Sequence, residues 1–248
     1  MGHSLLMVQD HGMDGLSTCI APCVKLWVLY PPSNLDRIYT CEGQEGKFVR
    51  LFDQLQGGLY VITTAKDALY IPSGWAHAVL TLTGGLLPGL NWSTAQSVTI
   101  AAQVFGHEYA SRSCTYDNAV PFLHSCIAAL RTRNDGLDKA AVEQWCRLRT
   151  RVVELGRRRK TEEGQQWPTE DVEILYKLLQ KREGACAVCG RTMRDHGPRG
   201  PLKSRDASVK LLGKGKAEVN ATKNSSIVLS RKRLRSATTL EGSHRTGS

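Results

Sequence analysis

Two regions of this sequence carry residue types able to hold a metal ion. In the first third, His77 stands in Ile71-Pro-Ser-Gly-Trp-Ala-His77-Ala-Val79, and His11 and Asp14 stand in Gln9-Asp10-His11-Gly12-Met13-Asp14. Two histidines and one carboxylate on one face of a redox metal leave positions open for oxygen and a chelating 2-oxo acid. That is the chemistry such a set would serve. Near the other end, Cys186-Ala-Val-Cys189 is a knuckle that offers two thiolates to zinc, and His196 follows as a third ligand. A closed structural zinc site needs four ligands, and no second Cys-x-x-Cys follows. Cys146 would contribute only if the intervening helices fold back. Two free thiols in a glycine-bounded turn are the alternative.

Spacing constrains the first set. His11 and Asp14 are three residues apart, so on a regular strand their side chains point to opposite sides. A bulge or turn, which Gly12 would permit, is needed to bring them together. If Gly15-Leu-x-Thr18 sets the register instead, Asp10 takes the histidine place and Gly12 the carboxylate place, and the triad is lost.

The elements that must position these residues are short strands. Alternating apolar runs bounded by turn residues predict strands at residues 25–30, 58–64, 68–71, 77–83 and from 90, a spacing that suits a sandwich or barrel. Residues 121–158 carry helical periodicity interrupted at Asn134-Asp-Gly136. A further helix is predicted over 169–182, with Pro168 before it, Thr169 as cap and Glu170 and Asp171 in the first turn. From residue 197 the chain is rich in Gly, Ser, Lys and Arg, which predicts disorder to residue 248.

Ile71-Pro-Ser-Gly-Trp-Ala-His77-Ala-Val79 resembles the JmjC family, in which a Pro-Ser-Gly-Trp-x-His-x-Val turn presents the distal iron-binding histidine. Lys25-Leu-Trp-Val-Leu-Tyr-Pro-Pro32 resembles the strand after that family's first metal ligands, where a lysine binds the far carboxylate of 2-oxoglutarate. A point cation suits that task, although Lys25 also reads as a surface cation before a strand. Asn91, fourteen residues after His77, stands where the family has a polar residue lining the cosubstrate site, or else caps a turn.

The resemblance covers roughly residues 5–105 and corresponds to the C-terminal portion of a JmjC domain, truncated or degenerate. It implies a mainly β jelly-roll (a double-stranded β-helix of JmjC and cupin type), incomplete, followed by an α-helical segment and a disordered basic tail. The expected organisation is a partial barrel over 1–110, a helical accessory region over 111–184, the Cys/His knuckle over 185–196 and the tail over 197–248. The implied iron ligands are His77, His11 and Asp14. The implied 2-oxoglutarate contacts are Lys25 and Asn91.

The implied activity is an Fe(II)- and 2-oxoglutarate-dependent protein hydroxylase or histone-lysine-demethylase-like oxygenase. The competing readings are a catalytically inactive JmjC-like module that binds chromatin or nucleic acid, and a cupin-like metal protein without 2-oxoglutarate. Charge bears on the partners. The net charge is +10, concentrated between Arg131 and Arg235, which favours polyanions or marks a solvated tail. Arg231-Lys-Arg-Leu-Arg235 reads as a nuclear import cluster, so a nuclear location is expected, with the cytoplasm as the alternative. The start of the chain has no basic region followed by a long apolar run, and no stretch approaches ~18 apolar residues. A reducing compartment and no membrane span are therefore expected, with most of the eight cysteines as free thiols.

Overall fold

The structure, a computed structural model, describes residues 7–8, 11–41, 46–110, 114–182 and 192–196. All of these belong to a compact unit spanning residues 1–203. The Cys186–Cys189 knuckle and the tail from 197 onward, with its basic cluster, lie outside the described residues.

The chain runs β1 (Met7–Val8), β2 (Asp14–Thr18), β3 (Val24–Tyr30), α1 (Leu35–Thr40), α2 (Lys47–Leu51), β4 (Leu59–Thr63), β5 (Ala68–Ile71), β6 (Ala76–Thr83), β7 (Gly89–Trp92) and α3 (Val98–Glu108). It continues through α4 (Val120–Thr132), α5 (Asp135–Glu163) and α6 (Glu170–Gln180), and ends in a 3-10 turn at Met193–His196. Two small antiparallel sheets form, in the orders β1-β6-β3-β4 and β5-β2-β7. The described residues form a partial β-rich arrangement with six α-helices. The strands predicted from alternation are present within a residue or two. Alternation and turn residues do not announce β1, β2, α1, α2 or α3.

β3 shows how the sequence builds the first sheet. Its β-branched and aromatic residues favour extended backbone. Pro31, which lacks an N–H, follows its last residue. Trp27 and Leu29 are buried on one face and join Leu69 and Ile71 of the other sheet in one apolar cluster. Burial of each such side chain contributes about 2 kcal/mol. The Trp27 indole N–H, buried with the ring, donates to the Thr63 hydroxyl at 2.9 Å. The cluster fixes which face of each sheet is inward.

The second core is helical. Val98, Ala101, Ala102 and Phe105 repeat at helical spacing along α3 and pack with α4, α5 and α6 around Trp145. The break between α4 and α5 falls where Asn134-Asp-Gly predicts it. Arg133 takes a left-handed conformation, and the Asn134 side chain accepts from the Leu137 N–H at 3.2 Å. Thr169 does occupy the cap position of α6, but its hydroxyl bonds to the Tyr116 phenol at 2.6 Å rather than to a helix N–H. Among the described residues, no helix is long and apolar enough to cross a membrane.

Candidate functional site

His77 lies on β6 and is buried. The register pairs His77 with Leu29, Val79 with Trp27 and Thr81 with Lys25. Directly opposed residues in antiparallel strands share a face. His77, Lys25 and Thr81 therefore stand on the inward side that also carries Trp27 and Leu29. The His77 ring lies 5.8 Å from the Trp27 ring. The Lys25 ammonium donates to the Thr81 hydroxyl at 2.6 Å. Four residues of strand separate the two rows, about 13 Å. A lysine stem and a five-carbon diacid can fill that span between them.

Asp14 is also buried, but it faces the other way. β2 pairs Gly15 with Ile71 and Ser17 with Leu69, so these residues share the inward face. Asp14, one residue before Gly15, projects to the outward side with Leu16 and Tyr70. There its carboxylate accepts four hydrogen bonds. Oδ1 takes the Tyr70 phenol at 2.6 Å and the Ser73 N–H at 3.1 Å, and Oδ2 takes the Thr94 and Ser97 hydroxyls at 2.9 Å each. Burial and this bond to Asp14 push the Tyr70 phenol up to about 12. The carboxylate ties β2 to the Pro-Ser-Gly turn and to the start of α3.

His11 is half-exposed and engaged elsewhere. Its Nδ1 lies 2.7 Å from Glu108 Oε1 at the end of α3. A turn does form at this point, as Gly12 allows, and His11 and Gly12 both adopt positive φ, 47° and 79°. The turn presses Gly12 against α3, where an added Cβ would meet the Ala101 Cα at 2.7 Å. It carries His11 toward Glu108 and not toward His77. Glu108 also accepts from Tyr39 at 3.3 Å and from the Asn118 amide at 3.2 Å. Burial first, and then the Glu108 charge, push the Tyr39 phenol far above its ordinary range. Asn91 pairs with Gly15 on β7, so it shares the inward face with Ile71, and it is exposed.

An iron triad made of His77, His11 and Asp14 therefore does not fit. The carboxylate is turned outward with all four acceptor positions used, and one imidazole is paired with a glutamate on a helix. Among the described residues, no group of three His, Cys, Asp or Glu side chains is placed to hold a metal.

Of the zinc candidates, Cys186 and Cys189 lie outside the described residues. His196 is described and buried, and its Nδ1 lies 3.6 Å from the Cys146 thiol on α5. The helices do fold back. Several residues that shape these sites were absent from the sequence reading. Thr81 was recognisable as the alternate residue after Val79 on a predicted strand. Glu108, 97 positions from His11, carried no local signal.

No family model matches this sequence. Two curated relatives align with part of it. The 2-oxoglutarate and iron-dependent oxygenase JMJD4 of Gallus gallus is 29% identical over 87 residues, covering 31% of this chain and 20% of the relative. The JMJD4 of Danio rerio is 28% identical over 98 residues, covering 35% of this chain and 23% of the relative. This chain thus spans about a fifth of the length of the relatives it matches. These weak, partial likenesses suggest a JmjC-like domain in the 2-oxoglutarate and iron oxygenase family.

Proposed function

We propose that this chain carries the distal-histidine and cosubstrate part of a JmjC-type Fe(II)/2-oxoglutarate oxygenase. His77 stands at the metal end and Lys25, steadied by Thr81, at the far-carboxylate end. The observation that supports this most is the pairing of β3 with β6, which sets all three residues on one face. The names of the two aligned relatives point to the same class. Lys25 would meet the distal carboxylate of 2-oxoglutarate as a charge-assisted hydrogen bond. Asn91 is the candidate polar contact from the facing sheet. His11 and Asp14 take no part in this reading. A protein substrate, a histone among the candidates, and a nuclear location are parts of the proposal that rest on the resemblance and on the basic cluster.

Calorimetric titration of the purified chain with 2-oxoglutarate, with Mn(II) as a redox-silent metal, tests it. The expected result is binding that weakens at least tenfold in Lys25→Ala, roughly the loss of one charge-assisted bond. Equal affinity in the variant, or no binding by the parent chain, overturns the proposal.

A second reading is favoured by the orientation of Asp14. In a JmjC-like module that no longer forms the triad, the β unit would serve binding alone, and the basic tail would hold chromatin or nucleic acid. That reading expects DNA binding that falls steeply with salt and no succinate formed from 2-oxoglutarate with Fe(II) and oxygen. Turnover by the chain would exclude it.

A further inference from the structure

Two buried thiols face each other where the chain crosses from one sheet to the other. Cys19 follows the last residue of β2, and Cys23 precedes the first residue of β3. Both are buried and both are free thiols. The Cys23 thiol hydrogen-bonds to the Cys19 sulfur. The Cys19 thiol in turn reaches Thr63 on β4, donating to its carbonyl at 3.7 Å with the hydroxyl 3.4 Å away. The backbone sets this meeting. The Cys23 N–H donates to the Ile20 carbonyl at 2.9 Å, which closes a tight turn, and the Ile20 N–H donates to the Leu86 carbonyl at 3.0 Å. Gly85 packs directly on Cys23, where an added Cβ would meet the Cys23 Cβ at 2.7 Å. The residues between the thiols, Ile20, Ala21 and Pro22, are exposed. The pair thus lies beneath a surface turn.

We propose that Cys19 and Cys23 are a redox pair that closes to a reversible disulfide. A disulfide needs two sulfurs brought together from facing Cβ positions, and the thiol–thiol hydrogen bond already supplies that approach. A cysteine kept for packing alone behaves as a small hydrophobe, as Cys126 does within the helical core. Cys19 and Cys23 instead point at each other and at a threonine. The oxidant is a small disulfide such as oxidised glutathione. One cysteine thiolate attacks it, forms a mixed disulfide and releases one glutathione thiolate. The other cysteine thiolate attacks the protein sulfur of that bond and releases the second glutathione. The pair loses two protons to solvent and two electrons, and the electrons reduce one oxidised glutathione to two thiols. Burial, chiefly, and the shared hydrogen bond push the Cys23 thiol up, so the pair reacts slowly while the turn is closed. Local opening of the exposed turn over Ile20, Ala21 and Pro22 admits the oxidant without unfolding either sheet. In a reducing compartment such a bond is transient and forms under oxidative load. It stands two residues before Lys25, where the β3–β6 ladder slips between Val24 and Lys25. It would tie the strand end from which Lys25 projects to the end of β2.

The test uses the full chain, reduced and then held in glutathione buffers of stepped redox ratio. After acid quenching, alkylation and trypsin digestion, mass spectrometry of the peptide 1–25 reports the pair. Cys19 and Cys23 are its only cysteines, and Lys25 is the first cleavage site. The expected product is this peptide lighter by two hydrogens and closed to alkylation, restored by dithiothreitol. Its equilibrium constant against glutathione should fall by about tenfold or more when the same chain is held in urea, because the fold supplies the contact. Cys23→Ser should carry at most one glutathione, at Cys19. If that variant does not fold, the parent chain compared in buffer and in urea decides alone. A peptide that stays doubly alkylated at every ratio, an equal constant in urea, or preferential bonding of Cys19 or Cys23 to another cysteine each overturns the proposal.

Discussion

The phenol of Tyr70 donates to the carboxylate of Asp14 at 2.6 Å, on the side of the β5–β2–β7 sheet turned away from His77. An acidic residue placed to complete a metal triad would instead project between the sheets. Asp14 joins three segments: Tyr70 and Ser73 beside the Pro-Ser-Gly turn, its own strand, and Thr94 and Ser97 before α3.

That network makes Asp14 a stability residue. Asp14→Ala strands four donors at a buried position, which costs about 3 kcal/mol. Asp14→Asn keeps one acceptor oxygen, and the Thr94 and Ser97 hydroxyls can turn to accept from the new amide, so the cost falls to about 1 kcal/mol. Urea denaturation measures both. A loss under about 0.5 kcal/mol in Asp14→Ala would show that the network is not formed in solution. Asp14→Asn should leave the affinity for 2-oxoglutarate unchanged.

His11 is the contrasting case. Its contact with Glu108 is half-exposed on the histidine side, and even with the imidazole charged such pairs contribute about 0–1 kcal/mol. His11→Ala should therefore shift the urea midpoint little and leave the content of any bound metal unchanged. A fall in bound metal in this variant would place His11 among the ligands after all.

Alkaline pH should destabilise the fold once the ordinary tyrosine pKa near 10 is passed. Burial, chiefly, pushes the Tyr70, Tyr109 and Tyr116 phenols up to about 12. Unfolded, these phenols ionise near 10. The folded state therefore holds more protons than the unfolded state between those values. Stability from these groups is complete below about pH 10 and is lost as pH rises through about 12. Urea midpoints from pH 8 to 11.5 should stay flat and then fall. Tyr116→Phe should flatten the fall. A midpoint that stays level to pH 11.5 would contradict the assignment.

The legible part of this fold is the part with a strict period. β3, β5 and β6 announce themselves by alternation and by Pro and Gly at their ends, and His77 by its place in a strand after a turn. α3 is equally legible in Val98, Ala101, Ala102 and Phe105, which repeat at helical spacing directly after the last strand of a region otherwise rich in strands. β2 was not legible, because Asp-Gly-Leu-Ser-Thr has little apolar alternation and the polar network that buries Asp14 is made by two distant segments, Tyr70 with Ser73 and Thr94 with Ser97. The fates of His11 and Cys146 were out of reach for a related reason. Their partners, Glu108 and His196, lie 97 and 50 positions away, and no local pattern encodes them.

α5 offers a test of packing against intrinsic helix preference. Gly156 sits within this helix, and Trp167 lies over it, so that an added Cβ would fall 1.9–2.7 Å from three ring carbons. By propensity alone, Gly156→Ala should stabilise the helix by about 1 kcal/mol. Here the ring must move, and it is held edge-on against Tyr116 at 5.9 Å. The clash outweighs the propensity, and Gly156→Ala should destabilise by about 1–3 kcal/mol, the usual range for overpacking. The double variant Gly156→Ala/Trp167→Ala separates the two effects. Once the ring is gone, the alanine should be neutral or favourable relative to Trp167→Ala alone. If Gly156→Ala stabilises the parent chain, the indole does not pack on this helix in solution.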